Sequence, residues 1–137
     1  MPLGEKVEIQ GKVSGAIDIG KVPLGSRSNV TVDWTVRGKD ISASMRTTDY
    51  LLTRADGVSI INSLGVMTTN DNEKISVKLG GYGLVPALSK MGLKGFITYE
   101  TASSKYSAFN SRVDVFVGEF LPEKGELTLS CYEWKES

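Results

Sequence analysis

The chain alternates apolar and polar side chains one by one, in short segments separated by turns that contain glycine. Successive side chains of a β-strand point to opposite faces, so a period of two indicates strands with one buried face. We therefore expect a chain built mainly of β-strands. The clearest apolar positions are Val30, Val32, Trp34, Val36, Ile75, Val77 and Leu79.

Helical periodicity is confined to residues 84–91 and 103–109, and each piece is only a turn or two long. Neither piece can cover a sheet, so about eight to ten strands must close into a barrel or stack as a sandwich. We favour the barrel because closure also removes exposed strand edges. The sequence thus predicts an all-β fold: a single antiparallel β-barrel domain over residues 1–137, with at most one or two short helical turns.

Turn signals place several strand ends. Asp56-Gly57 is the strongest two-residue hairpin signal, and residues 70–72 are also predicted as a turn. Glycines divide the N-terminal part of the chain into predicted strands at residues 7–13 and 17–22.

The charge balance and the single cysteine restrict partners and compartment. The 16 basic and 16 acidic residues give no net charge, so we expect neither nucleic acid nor a membrane surface as a partner. No apolar run approaches the roughly 20 residues that cross a bilayer. Cys131 cannot form an intramolecular disulfide, and the first residues lack the apolar stretch of a secretory signal. We therefore expect a cytoplasmic protein.

The sequence contains no histidine. Composition therefore excludes a Ser-His-Asp or Cys-His triad, a histidine general base and a histidine-ligated zinc, and one cysteine cannot form a thiolate cluster. We expect no cofactor. Any catalysis would use carboxylates, hydroxyls, lysine, arginine or the Cys131 thiol, so these residue types leave open whether the chain is an enzyme.

Spaced motifs run from the middle of the chain toward its C terminus: Asp33-Trp34, Arg37, Tyr50, Asp56-Gly57, Ile60, Gly65, Tyr99-Glu100-Thr101, Tyr106, Phe109-Asn110 and Val117-Gly118. Together these motifs resemble the domain of unknown function 3237 family. The resemblance implies a small antiparallel barrel, calycin-like or allene oxide cyclase-like, without an assigned general activity. Family members typically carry an arginine just before the tyrosine, where this chain has Asp49, and a phenylalanine where it has Tyr99.

A barrel of about eight strands has a lumen for side chains or for one small ligand. Over residues 112–120 the valines share one face, and Arg112 and Asp114 share the other. If the valines face outward, Arg112 and Asp114 face the lumen; the opposite assignment puts both on the surface. Arg46 and Tyr50 also share a face, so both can approach the same cavity, although a solvated position suits Arg46 slightly better.

Two carboxylates and two residues near a turn complete the candidate site. Burial in the barrel would raise the pKa of Glu100 and make it a general acid or base, whereas pairing with Arg112 would make it structural. Asp33 is the second candidate carboxylate, with a surface position as the alternative. Tyr106 and Asn110 are candidate ligand-binding residues, although an asparagine near a turn is expected by default to satisfy backbone groups.

Two classes of function and one structural role fit these residues. In the first, the barrel binds a small, partly apolar ligand in its lumen, and Arg46, Tyr50 and Arg112 hold an anionic head group. In the second, the protein is a cofactor-independent isomerase, cyclase or lyase in which Glu100 or Asp33 transfers a proton. In the third, a filled barrel serves assembly. The many apolar strand faces favour a homo-oligomer in each case.

Overall fold

The computed structural model describes residues 3–87 and 90–135, and over these residues the chain forms a closed barrel of eight antiparallel strands. Each strand pairs with its neighbours in the sequence, and the first strand pairs with the last. The prediction of an all-β barrel is therefore confirmed. The elements are β1 (Leu3–Val22), β2 (Gly25–Arg37), β3 (Ser42–Thr53), β4 (Ser59–Thr69), β5 (Lys74–Ala87), β6 (Lys90–Glu100), a 3-10 helix (Ser107–Ser111), β7 (Val113–Leu121) and β8 (Glu126–Trp134).

The N-terminal segment is one long strand rather than the two predicted. Its pairing with β2 shows register irregularities between Val13 and Gly15 and between Asp18 and Gly20. The ladder continues on both sides of each irregularity, so the glycines bend β1 without ending it.

Helical structure is even scarcer than the sequence suggests. The predicted helix at residues 84–91 is wrong where the structure describes it, because β5 continues to Ala87 and β6 begins at Lys90, whereas residues 88–89 lie outside the described residues. The second predicted piece overlaps a single 3-10 turn in the β6–β7 connection. In the described part of the chain, no helix is long and apolar enough to cross a membrane.

The alternation in the sequence corresponds to alternation between lumen and solvent. On β2, Val32, Trp34 and Val36 are buried, whereas Asp33 and Thr35 between them are exposed. The same pattern on the other strands fills much of the lumen with aliphatic and aromatic side chains. Burial of these side chains is the main favourable term in forming the barrel.

Trp34 occupies the lumen between β1 and β3. A Cβ atom at Gly11 would lie only 2.5 Å from the indole ring, so the ring packs directly on the β1 backbone. The indole Nε1 donates a 2.9 Å hydrogen bond to Oγ1 of buried Thr47. The one polar group of the ring is therefore satisfied inside the barrel.

The chain connections lie at the two ends of the barrel, which we call the hairpin end and the capped end. The hairpin end contains the connections at residues 23–24, 54–58 and 122–125. The capped end contains the connections at residues 38–41, 70–73 and 101–112.

The capped end is closed by packing of the long β6–β7 connection. Tyr106 and Phe109 from this connection pack against the core of the barrel. The Tyr106 hydroxyl donates a 2.9 Å hydrogen bond to Oδ1 of Asp71 in the β4–β5 turn, and Lys105 forms an ion pair with the same carboxylate. Lys105, with a hydrogen bond from Thr69, holds the pKa of Asp71 well below its usual range. These contacts fasten two connections of the capped end to each other.

Glycines on the inward faces of three strands allow neighbouring backbones to approach closely. A Cβ atom would lie 2.0 Å from the Arg46 carbonyl oxygen at Gly65, and 2.1 Å from the Thr128 carbonyl oxygen at Gly118. At Gly95 the same atom would lie 1.9 Å from the carbonyl oxygen of the paired strand β5. Glycine in a strand typically marks such a close approach or a sharp bend of a barrel.

We expect Gly95→Ala to lower the free energy of unfolding by more than about 2 kcal/mol, because the added methyl group overlaps the β5 backbone. Urea denaturation measures this change. Gly92→Ala in the same strand is the matched control, since its Cβ would meet no atom closer than 3.8 Å. Equal effects of the two substitutions would contradict the role of close backbone approach.

Candidate functional site

The lumen contains a cavity of about 220 Å³ toward the hairpin end. Exposed Ala16 is part of its wall, so the cavity reaches the surface on the side of β1. Most of the wall consists of aliphatic and aromatic side chains from every strand of the barrel. Representative members are Val13, Leu51, Leu79, Leu93, Phe120 and Leu127.

Asp49 on β3 is the charged residue among the described side chains that line this cavity. Its Oδ1 accepts a 2.9 Å hydrogen bond from the backbone N–H of Asn62. Ser63 lies opposite Asp49 in the β3–β4 ladder. Burial raises the pKa of Asp49, although the Asn62 N–H and the nearby Ser63 hydroxyl act in the opposite direction.

The Asp49 carboxylate has no basic partner within the described residues. No lysine or arginine of residues 3–87 and 90–135 forms an ion pair with it. Within the same residues, no group of three or more carboxylate or cysteine side chains is placed to hold a metal ion. An ionised carboxylate in an apolar cavity costs stability, and such groups are concentrated at functional sites.

Four of the predicted site residues lie on the outer surface of the barrel rather than in the lumen. Arg46 and Asp33 form a bidentate pair outside, with 2.6 Å between Nε and Oδ1 and 3.2 Å between Nη2 and Oδ2. Tyr50 and Glu100 are also exposed, and each occupies a position of its strand that points away from the lumen. The prediction that these side chains approach the cavity is wrong. On β3, for example, Thr47 and the residues two positions before and after it face the lumen, so Arg46 and Tyr50 face solvent.

Arg112 and Asp114 lie at the capped end. Asp114 is buried, and Val117 is exposed on the opposite face, so the valines of β7 do face outward. Arg112 donates to Asp114 through Nε at 2.7 Å and Nη2 at 3.3 Å, and the Tyr99 hydroxyl donates to Oδ2 of Asp114 at 2.6 Å. Burial and the Asp114 carboxylate raise the pKa of Tyr99 well above its usual value. This cluster satisfies its own polar groups and does not line the apolar cavity.

Arg112 also lines a second, polar cleft of about 330 Å³ on the outside of the capped end. Its guanidinium lies 4.8 Å from the centre of the Phe109 ring and 3.7 Å from the Glu133 carboxylate. Lys39 and Glu5, which also line this cleft, form an ion pair with each other. The cleft therefore presents charges of both signs, and several of them pair with one another.

Tyr106 and Asn110 have structural contacts in the capped end. The Tyr106 ring is buried and its hydroxyl binds Asp71, as described above. Oδ1 of Asn110 accepts a 2.7 Å hydrogen bond from the Thr101 N–H, and Nδ2 donates a 3.0 Å bond to the Thr101 carbonyl. The default expectation that Asn110 satisfies backbone groups near a turn matches these contacts.

Strand parity in the sequence indicates Asp49, which belongs to none of the spaced motifs. Met45 and Leu51 are apolar and share the parity of Asp49, whereas Arg46 and Tyr50 occupy the other face. The apolar members of a strand mark its buried side, so Asp49 is the titratable group of β3 that enters the barrel. It also stands where members of the resembled family carry an arginine.

Comparisons with solved structures concern the fold. A β-barrel-like protein from Acinetobacter baumannii AYE is 20% identical, with a TM-score of 0.87 over 98% of this chain and 96% of that one. This chain shares its fold with small β-barrel proteins of unknown function. A protein of unknown function from Clostridium acetobutylicum ATCC 824 is also 20% identical, with a TM-score of 0.85 over 96% of this chain and 97% of that one.

A more distant structural neighbour is described as an enzyme from Penicillium herquei. It is 15% identical, with a TM-score of 0.67 over 96% of each chain. At such identities the likeness extends to the fold and carries no residue roles. No protein-family model matches this chain, and no curated protein is significantly similar to it.

We expect Asp114→Asn to lower the free energy of unfolding by about 3 kcal/mol, because it removes the closer and more deeply buried of the two carboxylates that face the Arg112 guanidinium. Asp33→Asn is the matched control, since Asp33 forms the same type of bidentate pair with Arg46 in solvent and should change stability little. Chemical denaturation compares the two variants. A small effect of Asp114→Asn would show that the cluster does not hold the capped end.

We expect Asp49→Asn to stabilise the protein at pH 7. The raised pKa means that the folded state binds this proton more tightly than the unfolded state, so stability from Asp49 falls as pH rises through its folded pKa. Denaturation should show that the variant is more stable than the unmodified protein at pH 7. This difference in stability should disappear near pH 3.5, below the unfolded-state pKa of about 3.9. Asp33→Asn should instead lower stability slightly at pH 7, because Arg46 lowers the pKa of this exposed carboxyl group. A gain for Asp49→Asn that is independent of pH would contradict this account.

Proposed function

We propose that the barrel binds one small, largely apolar ligand in the cavity at its hairpin end. The observation that carries the proposal is the unequal filling of the lumen. The capped end is packed by Tyr106 and Phe109, whereas about 220 Å³ between apolar walls is left at the other end. Leaving an apolar cavity costs packing energy, and the mouths of β-barrels are common ligand sites.

The proposed site differs from the one expected from sequence. Arg46 and Tyr50 point away from the lumen, and Arg112 is held at the capped end, so none of the three lines the cavity. The polar groups that the cavity offers a ligand are the carboxylate of Asp49 and the hydroxyl of Ser63. The cavity therefore favours a ligand that donates a hydrogen bond over one with an anionic head group.

A cofactor-independent isomerase, cyclase or lyase is the second candidate function. Asp49 favours it, because a carboxylate whose pKa burial raises is suited to accept and return a proton beside an apolar substrate. In this version Asp49 replaces Glu100 and Asp33 as the proton-transfer group. The enzyme from Penicillium herquei has a similar fold, but a shared fold does not establish a shared reaction.

Four further expectations from sequence belong to the same proposal. We place the chain in the domain of unknown function 3237 family on the strength of its spaced motifs, and in the cytoplasm on the strength of its single cysteine. Exposed apolar side chains on the outer face, such as Phe96 and Val117, support a homo-oligomer. The zero net charge supports the absence of a nucleic-acid or membrane partner.

We expect the protein to bind 1-octanol, a neutral probe with an apolar chain, and Ala16→Trp to weaken that binding at least tenfold. Ala16 is exposed and lines the cavity, so a larger side chain there obstructs the cavity without disturbing the core. Isothermal titration calorimetry measures the affinity. Ala108→Trp, at an exposed position in the 3-10 helix of the capped end, is the matched control and should leave the affinity unchanged.

Native mass spectrometry of the freshly purified protein complements the titration. A small molecule that leaves on denaturation and is displaced by 1-octanol would support the proposal. Absence of any neutral-probe binding, or equal weakening by Ala16→Trp and Ala108→Trp, would overturn it and favour a purely structural barrel.

A further inference from the structure

Asp49 makes the wall of the cavity negatively charged at one position. Among the described lining residues it alone carries a charge, and the remaining wall is apolar apart from the hydroxyl of Ser63 and the indole N–H of Trp34. The indole N–H is already used by Thr47. A ligand in this cavity therefore meets one carboxylate on one wall and hydrocarbon on the others.

The carboxylate retains capacity to accept hydrogen bonds. Two oxygens accept about four hydrogen bonds in all, and within the described residues the hydrogen bond to Asp49 comes from the Asn62 N–H, with Ser63 opposite in the ladder. Both groups are neutral, so neither offsets the charge. In apolar surroundings an ionised acid needs a positive partner to offset its desolvation.

The same charge discriminates among ligands. An anionic head group would be repelled inside a medium of low dielectric constant, and a neutral hydroxyl would gain only a hydrogen bond. An ammonium group would gain both a hydrogen bond and a counter-charge, while its hydrocarbon tail covers the apolar walls.

We infer that the cavity selects a small organic amine, protonated at its nitrogen and attached to an apolar tail, and that Asp49 binds the ammonium group. This inference rests on the proposed function, because it assumes that the cavity takes a ligand. It adds the chemical class of that ligand. It also gives Asp49 a reason to be present, since the carboxylate destabilises the empty barrel.

The test compares three probes with the same tail and different head groups: n-octylamine, 1-octanol and octanoate. Isothermal titration calorimetry at pH 7 should show the amine binding at least tenfold more tightly than the alcohol, with octanoate the weakest. Asp49→Asn should reduce the amine affinity at least tenfold and weaken alcohol binding much less, because the hydroxyl loses only the charge on its acceptor whereas the ammonium group loses its counter-charge. Asparagine retains the acceptor for the Asn62 N–H, and Asp49→Thr is the second variant if Asp49→Asn fails to fold.

Asp33→Asn is the matched control, because it removes a carboxylate from the outer surface. It should leave all three affinities unchanged, whereas a loss of amine binding there would reveal attraction to the surface and overturn the inference. Equal binding of the three probes, or tighter binding of octanoate, would also overturn it while leaving an apolar binding cavity in place. Failure of every probe to bind would instead overturn the proposed function itself.

Discussion

Closure of the sheet on itself is the constraint on which the rest of this structure depends. β1 pairs with β8, so the ladder has no end, and eight strands must bend around a narrow lumen. That curvature brings backbones together at inward positions such as Gly65, Gly95 and Gly118, where any side chain would overlap a carbonyl group of the next strand. The glycines that interrupt the strand pattern in the sequence are therefore part of the barrel's construction.

Closure also divides the protein into two ends with different chemistry. At the capped end, Arg112, Asp114 and Tyr99 bind one another, and the β6–β7 connection packs over the core, so the polar groups there are satisfied. At the hairpin end the apolar walls remain apart, and among the described residues Asp49 has a neutral donor, the Asn62 N–H, but no counter-charge. The paired polar groups are therefore concentrated at the first end and the apolar cavity at the second.

Much of the fold follows from local rules, and less of the site does. The period of two in β2 and β5 predicts half-buried strands, and the scarcity of helix predicts closure. The candidate site residues are harder to predict than the strands, because each strand has two faces and parity alone does not say which face is inside. Asp33 precedes Trp34 in the sequence and Arg46 shares a strand face with Tyr50, yet Asp33 and Arg46 pair with each other in solvent. Neither pattern shows which face of the strand lines the lumen.

The sequence by itself determined the class of fold, the approximate number of strands, several turns, and the exclusion of histidine and thiolate-cluster chemistry. These properties follow from composition and from contacts between near neighbours, which a single chain displays directly. Only the tertiary structure decided that Asp49 enters a cavity while Glu100 does not, and that Asp114 pairs with Arg112 while Asp49 pairs with no base among residues 3–87 and 90–135. Those distinctions depend on which distant strands meet around the lumen, because the desolvation and the partners of a charge are set by residues far away in the sequence.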